Sequence, residues 1–217
     1  MPGCLGLAEL LVQYNHESSK ILVTGKSGSG KTTYGLRYLT NARYDYRFIF
    51  DGVLGQMQQR LKLRACHDPR QLLDTLSGRW TLFDPTSSFS NPTAGCMFFC
   101  DWVFHVCAKL PGKKLIVIDE LWKYTSSAIV PPEMESVVFT GRLVGVDCLF
   151  MSQRPNRIHN SIRDSLSELV CFRLQDKNSL KFVIEQGIDD GPIRALAPGE
   201  FIAFNLDNGA EERGRVF

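Results

Sequence analysis

A glycine-rich segment between two structured elements limits what this chain can fold into more than any other feature. Residues 25–32 read GKSGSGKT and fit the pattern G-x-x-x-x-G-K-[ST] at every position. The apolar run KILVTG (20–25) before it predicts a buried strand, and residues 31–40 after it have helical character. A loop that joins a strand to a helix N-terminus presents partial positive charge to one point, which favours a phosphate group.

This segment predicts a nucleotide-phosphate site and assigns roles within it. We expect Lys31 to reach the β- and γ-phosphates of a nucleotide and the Thr32 hydroxyl to ligate magnesium. Lys26 is a candidate for a second lysine directed at the phosphates. The expected nucleotide-binding residues are Gly25, Lys26, Ser27, Gly28, Ser29, Gly30, Lys31, Thr32 and Thr33.

Polar residues also follow two later apolar strands. LIVIDE (115–120) ends in two acids, and we expect Asp119 at the carboxyl edge of the sheet, holding magnesium through water. Glu120 is then a candidate general base for an attacking water. Gln153, after the strand VDCLFMS (146–152), is a candidate sensor of the γ-phosphate. The Asp-Glu pair favours hydrolysis by water over transfer to a small molecule.

The rest of the chain alternates strands and helices. Further strands are predicted at 47–52, 80–85, 168–174, 200–206 and 213–217. Helices are predicted at 53–64, from Asp68, at 94–109, from Pro131 towards Arg142, and from Asp176 or Asn178 to Gln186. The alternation predicts one α/β domain over residues 1–217, with 1–19 as an N-terminal extension and a mostly parallel sheet covered by helices on both faces.

Composition narrows the class of protein and the compartment. A net charge of +2 differs from that of a strongly basic DNA-coating protein, although a local patch or a ring of subunits can still supply a positive field. Seven cysteines without C-x-x-C spacing indicate a reducing, intracellular compartment. The most apolar stretch, residues 96–110, is too short and too charged to span a bilayer, so it predicts a core helix and no integral membrane span.

Beyond these motifs, the stretch TGRLVGVDCLFMSQRP (140–155) resembles the FtsK/HerA superfamily of DNA-translocating ATPases. In that family an arginine precedes a glycine-hydrophobic strand that ends in [ST]-Q-R-P. SELVCFRLQDKNSLKFVIEQG (167–187) is similar to its C-terminal part, so the resemblance covers residues 20–205. A core of this size looks most like the genome-packaging ATPases of tailless icosahedral viruses with an internal membrane.

The resemblance implies a RecA-like P-loop NTPase fold and a ring, expected to be hexameric, with ATP and Mg²⁺ bound between neighbours. Arg142 matches the trans arginine finger and Gln153 the sensor glutamine, while Arg154, Arg157 and Arg163 are rival fingers. The implied partners are double-stranded DNA of any sequence and a capsid vertex or membrane portal protein. The implied location is the cytoplasm of an infected host cell or the virion vertex.

The DNA contacts and two other functions stay open. The candidate DNA-binding residues are Arg60, Lys62, Arg64, Arg157 and Arg163. The segment WKYTSSAIVPPE (122–133) either lines a pore or packs. The competing functions are a small P-loop phosphotransferase, a nucleoside or metabolite kinase, and an assembly or extrusion ATPase of a filamentous phage. GTP switching is disfavoured because the base-reading motif N-K-x-D does not occur.

Overall fold

A computed structural model describes residues 18–52 and 56–217 of the protein. Nearly all of the predicted N-terminal extension, and the start of the helix predicted at 53–64, lie outside the described residues.

The strands form one mostly parallel sheet, which confirms the predicted fold class. They are β1 (Lys20–Thr24), β2 (Tyr46–Phe50), β3 (Trp80–Phe83), β4 (Lys114–Ile118), β5 (Val146–Ser152), β6 (Glu168–Phe172), β7 (Glu200–Asn205) and β8 (Glu211–Arg215). Their order in the sheet is β3-β2-β4-β5-β1-β6-β7-β8. β1 pairs with β6 and β2 with β3 in parallel, whereas β7 and β8 join as antiparallel strands. β4 and β5 are buried along their whole length, as expected for strands covered on both faces.

Most helices follow the predicted alternation, and two short ones, Asn160–Asp164 and Asp190–Ala195, have no predicted counterpart. They are α1 (Lys31–Asn41), α2 (Gln56–Leu61), α3 (Pro92–Cys107), α4 (Pro132–Glu135), α5 (Asn160–Asp164), α6 (Lys177–Glu185) and α7 (Asp190–Ala195). The segment that Asp68 begins is a 3₁₀ helix, Pro69–Gly78. At α6, the side chain of Asp176 accepts a hydrogen bond from the Ser179 backbone N–H, so Asp176, not Asn178, is the N-cap.

The helix predicted from Pro131 towards Arg142 is not one continuous α-helix. α4 contains only four residues and continues as a π-helix over Ser136–Thr140 and a 3₁₀ turn over Gly141–Val144. Gly145 ends this segment at φ 70°, a left-handed conformation that glycine adopts without a steric cost. The change of helix type sets the position of Arg142 on the last turn.

The chain divides into two compact units. In the described residues, the first comprises 43–52, 56–117 and 131–148 with Ser18, and aromatic rings fill its core. The Phe83 and Phe99 rings stack with centroids 5.5 Å apart, and Trp102 stacks on Phe99 at 6.0 Å. α3, the predicted core helix, buries Cys96, Phe99 and Cys100.

The second unit comprises residues 19–42, 118–130 and 149–217. Its central strand β1 is buried from Ile21 onwards. α1 packs closely beside β5 at Gly35. A Cβ atom at this position would lie only 2.6 Å from the Met151 sulfur. The Thr24 hydroxyl at the end of β1 donates a hydrogen bond to the Ser152 carbonyl at the end of β5 (3.0 Å). These contacts bring the ends of two strands and the start of α1 together.

Candidate nucleotide site

The loop between β1 and α1 has the backbone that a phosphate-binding loop requires. Gly25, Gly28 and Gly30 all have positive φ (157°, 72° and 118°). A Cβ atom on Gly25 would lie 2.5 Å from the Phe172 Cβ, and one on Gly30 would lie 2.7 Å from a Val216 methyl. Both positions therefore need glycine for its backbone conformation and for the space around it.

Several polar groups of this loop have no hydrogen-bond partner in the described part of the chain. Among the described residues, the backbone N–H groups of Ser27, Gly28 and Gly30 donate no hydrogen bond. The Ser29 hydroxyl is buried and has no partner in the same part of the chain. A buried polar group without a partner is costly, so this arrangement suits a loop whose donors are satisfied by an anion.

The loop is attached to the C-terminal strand by two backbone hydrogen bonds. The Gly199 N–H donates to the Ser29 carbonyl (3.1 Å), and the Val216 N–H donates to the Gly199 carbonyl (2.9 Å). The Phe217 ring packs against Gly199. We call this the Ser29–Gly199–Val216 connection.

The Lys31 ammonium lies inside the loop and is 6% exposed. Its Nζ donates to the Lys26 carbonyl (3.0 Å). Burial lowers the pKa of Lys31, and the nearby carboxylates of Glu120 and Asp119 partly oppose that shift. A cation in this position is stabilised further by each negative charge that enters the loop, as expected of a lysine that binds phosphate.

Asp119 and Glu120 follow β4 and are both nearly buried, at 8% and 7% exposure. The Asp119 carboxylate accepts a hydrogen bond from the Glu120 backbone N–H (2.8 Å). Glu120 itself has φ 51° and ψ 46°, a left-handed conformation that costs a non-glycine residue on the order of 1 kcal/mol or more. Such strain is common where a protein must aim a side chain in one direction.

The Glu120 carboxylate is held by three donors. Gln153 donates to it twice, from its side-chain amide (2.5 Å) and from its backbone N–H (3.2 Å). The Trp122 indole N–H donates to the same carboxylate (2.5 Å). Because a carboxylate has about four lone-pair directions, little capacity is left to accept a proton from water in this arrangement.

The structure therefore gives Gln153 a direct contact with Glu120, in addition to the phosphate contact predicted for it. The role of Trp122 was not resolved from the sequence, since the segment 122–133 was expected either to line a pore or to pack. The one signal was its place two residues after Glu120, on a short turn (Leu121–Lys123) that follows the left-handed residue.

The residues predicted to hold magnesium fit that ion chemically. Thr32 supplies a hydroxyl on the first turn of α1, and Asp119 supplies a carboxylate. Within residues 18–52 and 56–217 there is no group of three or more His, Cys, Asp and Glu side chains that could hold a metal ion. Magnesium needs no such group in nucleotide enzymes, because one or two protein oxygens act together with the substrate's phosphates and water.

Arg142 lies in the first unit, on the 3₁₀ turn that follows the π-helix. Its side chain is exposed, and among the described residues it has no hydrogen-bond or ion-pair partner. The next residues of the turn are fixed by Lys114, which is fully buried and donates from Nζ to the Val144 carbonyl (2.9 Å). An exposed cation on a firmly held turn has the properties that a trans arginine finger needs.

The other predicted cations differ in their surroundings. Arg60, on α2, and Lys62 and Arg64, just after it, are exposed in the first unit. Arg157 is exposed in the second unit and lies over the Trp122 ring. Arg163 instead pairs with Glu185 (3.3 Å), contacts Asn160 and covers the Phe182 ring, with a side chain only 14% exposed. These contacts occupy Arg163 in joining α5 to α6.

No described helix has the length and apolar character needed to cross a membrane. The six cysteines in the described residues are buried and form no disulfide with one another: Cys66, Cys96, Cys100, Cys107, Cys148 and Cys171.

Comparisons with known proteins agree with the predicted fold. The genome packaging NTPase B204 of Sulfolobus turreted icosahedral virus 2, solved with sulfate, has 14% identity and a TM-score of 0.72, over 91% of this chain and 96% of B204. The pCW3 conjugation coupling protein TcpA, solved with ATPγS, has 14% identity and a TM-score of 0.61, over 94% of this chain and 60% of TcpA. The type VII secretion ATPase EccC of Thermomonospora curvata has 15% identity and a TM-score of 0.55, over 90% of this chain and 25% of the EccC chain.

No curated protein matches the sequence. The structural likenesses confirm the predicted P-loop NTPase fold and the predicted resemblance in fold to a viral genome-packaging NTPase. A family model described as zonular occludens toxin (Zot) matches residues 19–187, which is most of the chain. The chain therefore belongs to the zonular occludens toxin (Zot) family.

Proposed function

We propose that the protein is a magnesium-dependent ATPase whose hydrolysis drives double-stranded DNA into a preformed viral capsid. The observation that carries the nucleotide chemistry is the position of the buried Asp119 and Glu120 carboxylates within electrostatic reach of Lys31. A lysine, a magnesium-binding acid and a second acid are the groups that hydrolysis of a nucleotide by water requires.

In the proposed reaction, the loop N–H groups and Lys31 bind the phosphates, and Thr32 and Asp119 hold Mg²⁺. When bound, this ion neutralises charge that develops on the phosphate oxygens. Glu120 accepts the proton of the attacking water, and the loss of a hydrogen bond from Trp122 or Gln153 would free a further lone pair for it. Gln153 follows β5 at the same edge, so it also senses the γ-phosphate through its contact with Glu120.

The assembly is proposed to be a hexameric ring with ATP between neighbours and Arg142 acting on the neighbour's nucleotide. In support, its exposed side chain has no ionic partner among the described residues. DNA would be held through its phosphates without reading of sequence, by the exposed cations named above. A capsid vertex or membrane portal protein completes the motor, at the virion vertex or in the cytoplasm of an infected cell.

The nucleotide chemistry is tested by comparing Lys31→Ala with Glu120→Gln. Lys31→Ala removes a phosphate contact and should weaken ATP binding. Glu120→Gln removes the base and should leave ATP bound but unhydrolysed. Glu135→Gln, at an exposed position on α4, is the matched control and should hydrolyse ATP at the wild-type rate. Wild-type hydrolysis by Glu120→Gln would exclude Glu120 as the base.

The motor function is tested with duplex DNA and empty capsids of the same virus. Duplex DNA of unrelated sequences should stimulate hydrolysis, and nuclease protection of added DNA should require both ATP and capsids. Stimulation by a nucleoside or metabolite with a phosphorylated product would support the phosphotransferase. A normal ATPase that encapsidates no DNA, but is needed for release of a filamentous virion, would support the extrusion ATPase.

A further inference from the structure

A groove beside the phosphate loop extends across two adjoining clefts. One cleft, of about 450 Å³, has the loop residues Lys26 and Ser27 at one side and Arg154 and Arg157 at the other. A second cleft, of about 520 Å³, continues from Arg157 to the segment 125–127. Asn156 and Arg157 line both clefts, so the two form one continuous surface within the second unit.

The groove carries positive charge and hydrogen-bond donors. Arg154 and Arg157 are exposed, and in the part of the chain that the structure describes neither guanidinium has an acidic partner. Among the described residues that line it, the one acid is Asp176, which already accepts a hydrogen bond as the N-cap of α6. The Thr125 hydroxyl at the far end is buried and has no hydrogen-bond partner among the described residues. Arginine, hydroxyl and amide groups are the usual partners of nucleic-acid phosphates.

Trp122 connects this groove to the candidate base. The guanidinium carbons of Arg154 and Arg157 lie 4.9 and 5.4 Å from the centre of its ring. The indole N–H of the same residue donates a hydrogen bond to the Glu120 carboxylate. Cation–π contacts of this kind are weak at exposed sites, so a phosphate group competes well for either arginine.

We propose that nucleic-acid phosphates bind in this groove to Arg154 and Arg157, draw them from the Trp122 ring, and thereby release Glu120 from the indole N–H. Trp122 is a positioning residue in this device, because it acts on water only through Glu120. The inference rests on the proposed ATPase function, and it gives that function a physical link between polymer binding and hydrolysis.

The polymer backbone explains the groove better than the phosphates of the nucleotide itself. The donors of the phosphate loop lie at one end, whereas Arg157 and Thr125 continue into the second cleft. A repeating row of phosphates can occupy both clefts at once.

The central test is Trp122→Phe, which keeps an aromatic ring for the arginines but removes the N–H donor. Without DNA, the variant should hydrolyse ATP with a kcat about tenfold above wild type. This factor corresponds to about 1.4 kcal/mol, close to the lower end of the range for one hydrogen bond to a charged group. Its stimulation by duplex DNA should fall towards onefold, with the KM for ATP within about twofold of wild type. Trp80→Phe is the matched control, because Arg47 lies over Trp80 at 4.6 Å in the other unit. It should keep both wild-type rates.

Binding is measured separately, by fluorescence without nucleotide. The difference between the emission of wild type and that of Trp122→Phe gives the emission of Trp122 alone. Addition of duplex DNA should change this emission. In Arg154→Gln and Arg157→Gln the DNA affinity should fall, and its dependence on salt should lose about one counterion for each arginine removed. Both arginines are exposed, so these variants should fold even if Trp122→Phe does not.

Three results would overturn the inference. The first is a Trp122→Phe variant with wild-type basal rate and wild-type stimulation. The second is a Trp122→Phe variant that binds ATP but does not hydrolyse it, either with or without DNA. The third is a pair of arginine variants with unchanged DNA affinity and a raised KM for ATP, which would assign the arginines to the nucleotide. A wild-type protein that binds ATP without hydrolysing it would refute the proposed ATPase function instead. The DNA-dependent emission of Trp122 would still test DNA binding in the groove.

Discussion

Replacing Arg142 by alanine should separate catalysis from folding more sharply than any other single change. The side chain is exposed and, within the described residues, has no ionic partner, so its removal should change the free energy of unfolding by no more than about 0.5 kcal/mol. An arginine finger that acts on a neighbour's ATP contributes about 10³–10⁵ in kcat, or about 4–7 kcal/mol of barrier. Turnover should therefore almost vanish while ATP binding and thermal stability stay at wild-type values.

The assay mixes two inactive proteins, Arg142→Ala and Glu120→Gln, and measures phosphate release. In a mixed ring, some sites combine an intact Glu120 from one subunit with an intact Arg142 from the next, and those sites should hydrolyse ATP. Arg43→Ala, which also removes an exposed arginine of the first unit, should be fully active alone. Arg142→Lys keeps the charge without the planar guanidinium and should recover only a small part of the rate.

Mixed rings that demonstrably form but stay inactive would contradict the expectation that one intact site, with Glu120 from one subunit and Arg142 from the next, hydrolyses ATP independently of the others. In that case the rate of isolated subunits decides the matter. If monomers hydrolyse ATP slowly and Arg142→Ala abolishes this rate, the arginine acts within its own subunit and the reasoning from its exposure is wrong.

Three further predictions follow from burial in the two units. Burial lowers the pKa of Lys31 below 10.5. Between that lowered pKa and 10.5, the folded chain therefore binds fewer protons than the unfolded chain. The free energy of unfolding rises with pH in this window. Lys31→Met should therefore melt above wild type at pH 7 without nucleotide, and the gap in melting temperature should narrow as pH approaches 10.5. Gly25→Ala should lose about 1–3 kcal/mol of unfolding free energy and most ATP binding, measured by denaturant titration and nucleotide fluorescence, because its Cβ would meet Phe172. Burial raises the pKa of Cys107 to about 12, and in a Cys4→Ser background a thiol reagent should label the native chain no faster than the chain opens.

Much of the fold follows from local sequence patterns, because most strands are short apolar runs and most breaks contain glycine, proline or a capping acid. β8 is the exception among the strands, since it reads EERGR and is largely exposed. The phosphate loop was predictable for the same reason, since all its residues are consecutive. The π-helix at Ser136–Thr140 was not, because SVVFT has the same apolar spacing that an ordinary helix would have.

The partners of Glu120 show the limit of such reasoning within the site. Gln153 lies 33 residues further along the chain, and only the sheet brings it to the carboxylate. The sequence predicts a contact of Gln153 with the γ-phosphate, and it gives no sign of the contact with Glu120. Trp122 is close to Glu120 in sequence, yet its contact depends on the left-handed backbone of Glu120. A glutamate at that position does not predict such a backbone conformation.

The Ser29–Gly199–Val216 connection gives the site a natural spectroscopic reporter. The Val216 and Gly199 amide protons are tied in series to the phosphate loop, although both residues are far from it in the chain. Isotope labelling of valine and glycine would let their exchange with deuterated solvent be followed residue by residue. Slower exchange at both amides after ATP is added would record the tightening of the loop, without any modification of the loop itself.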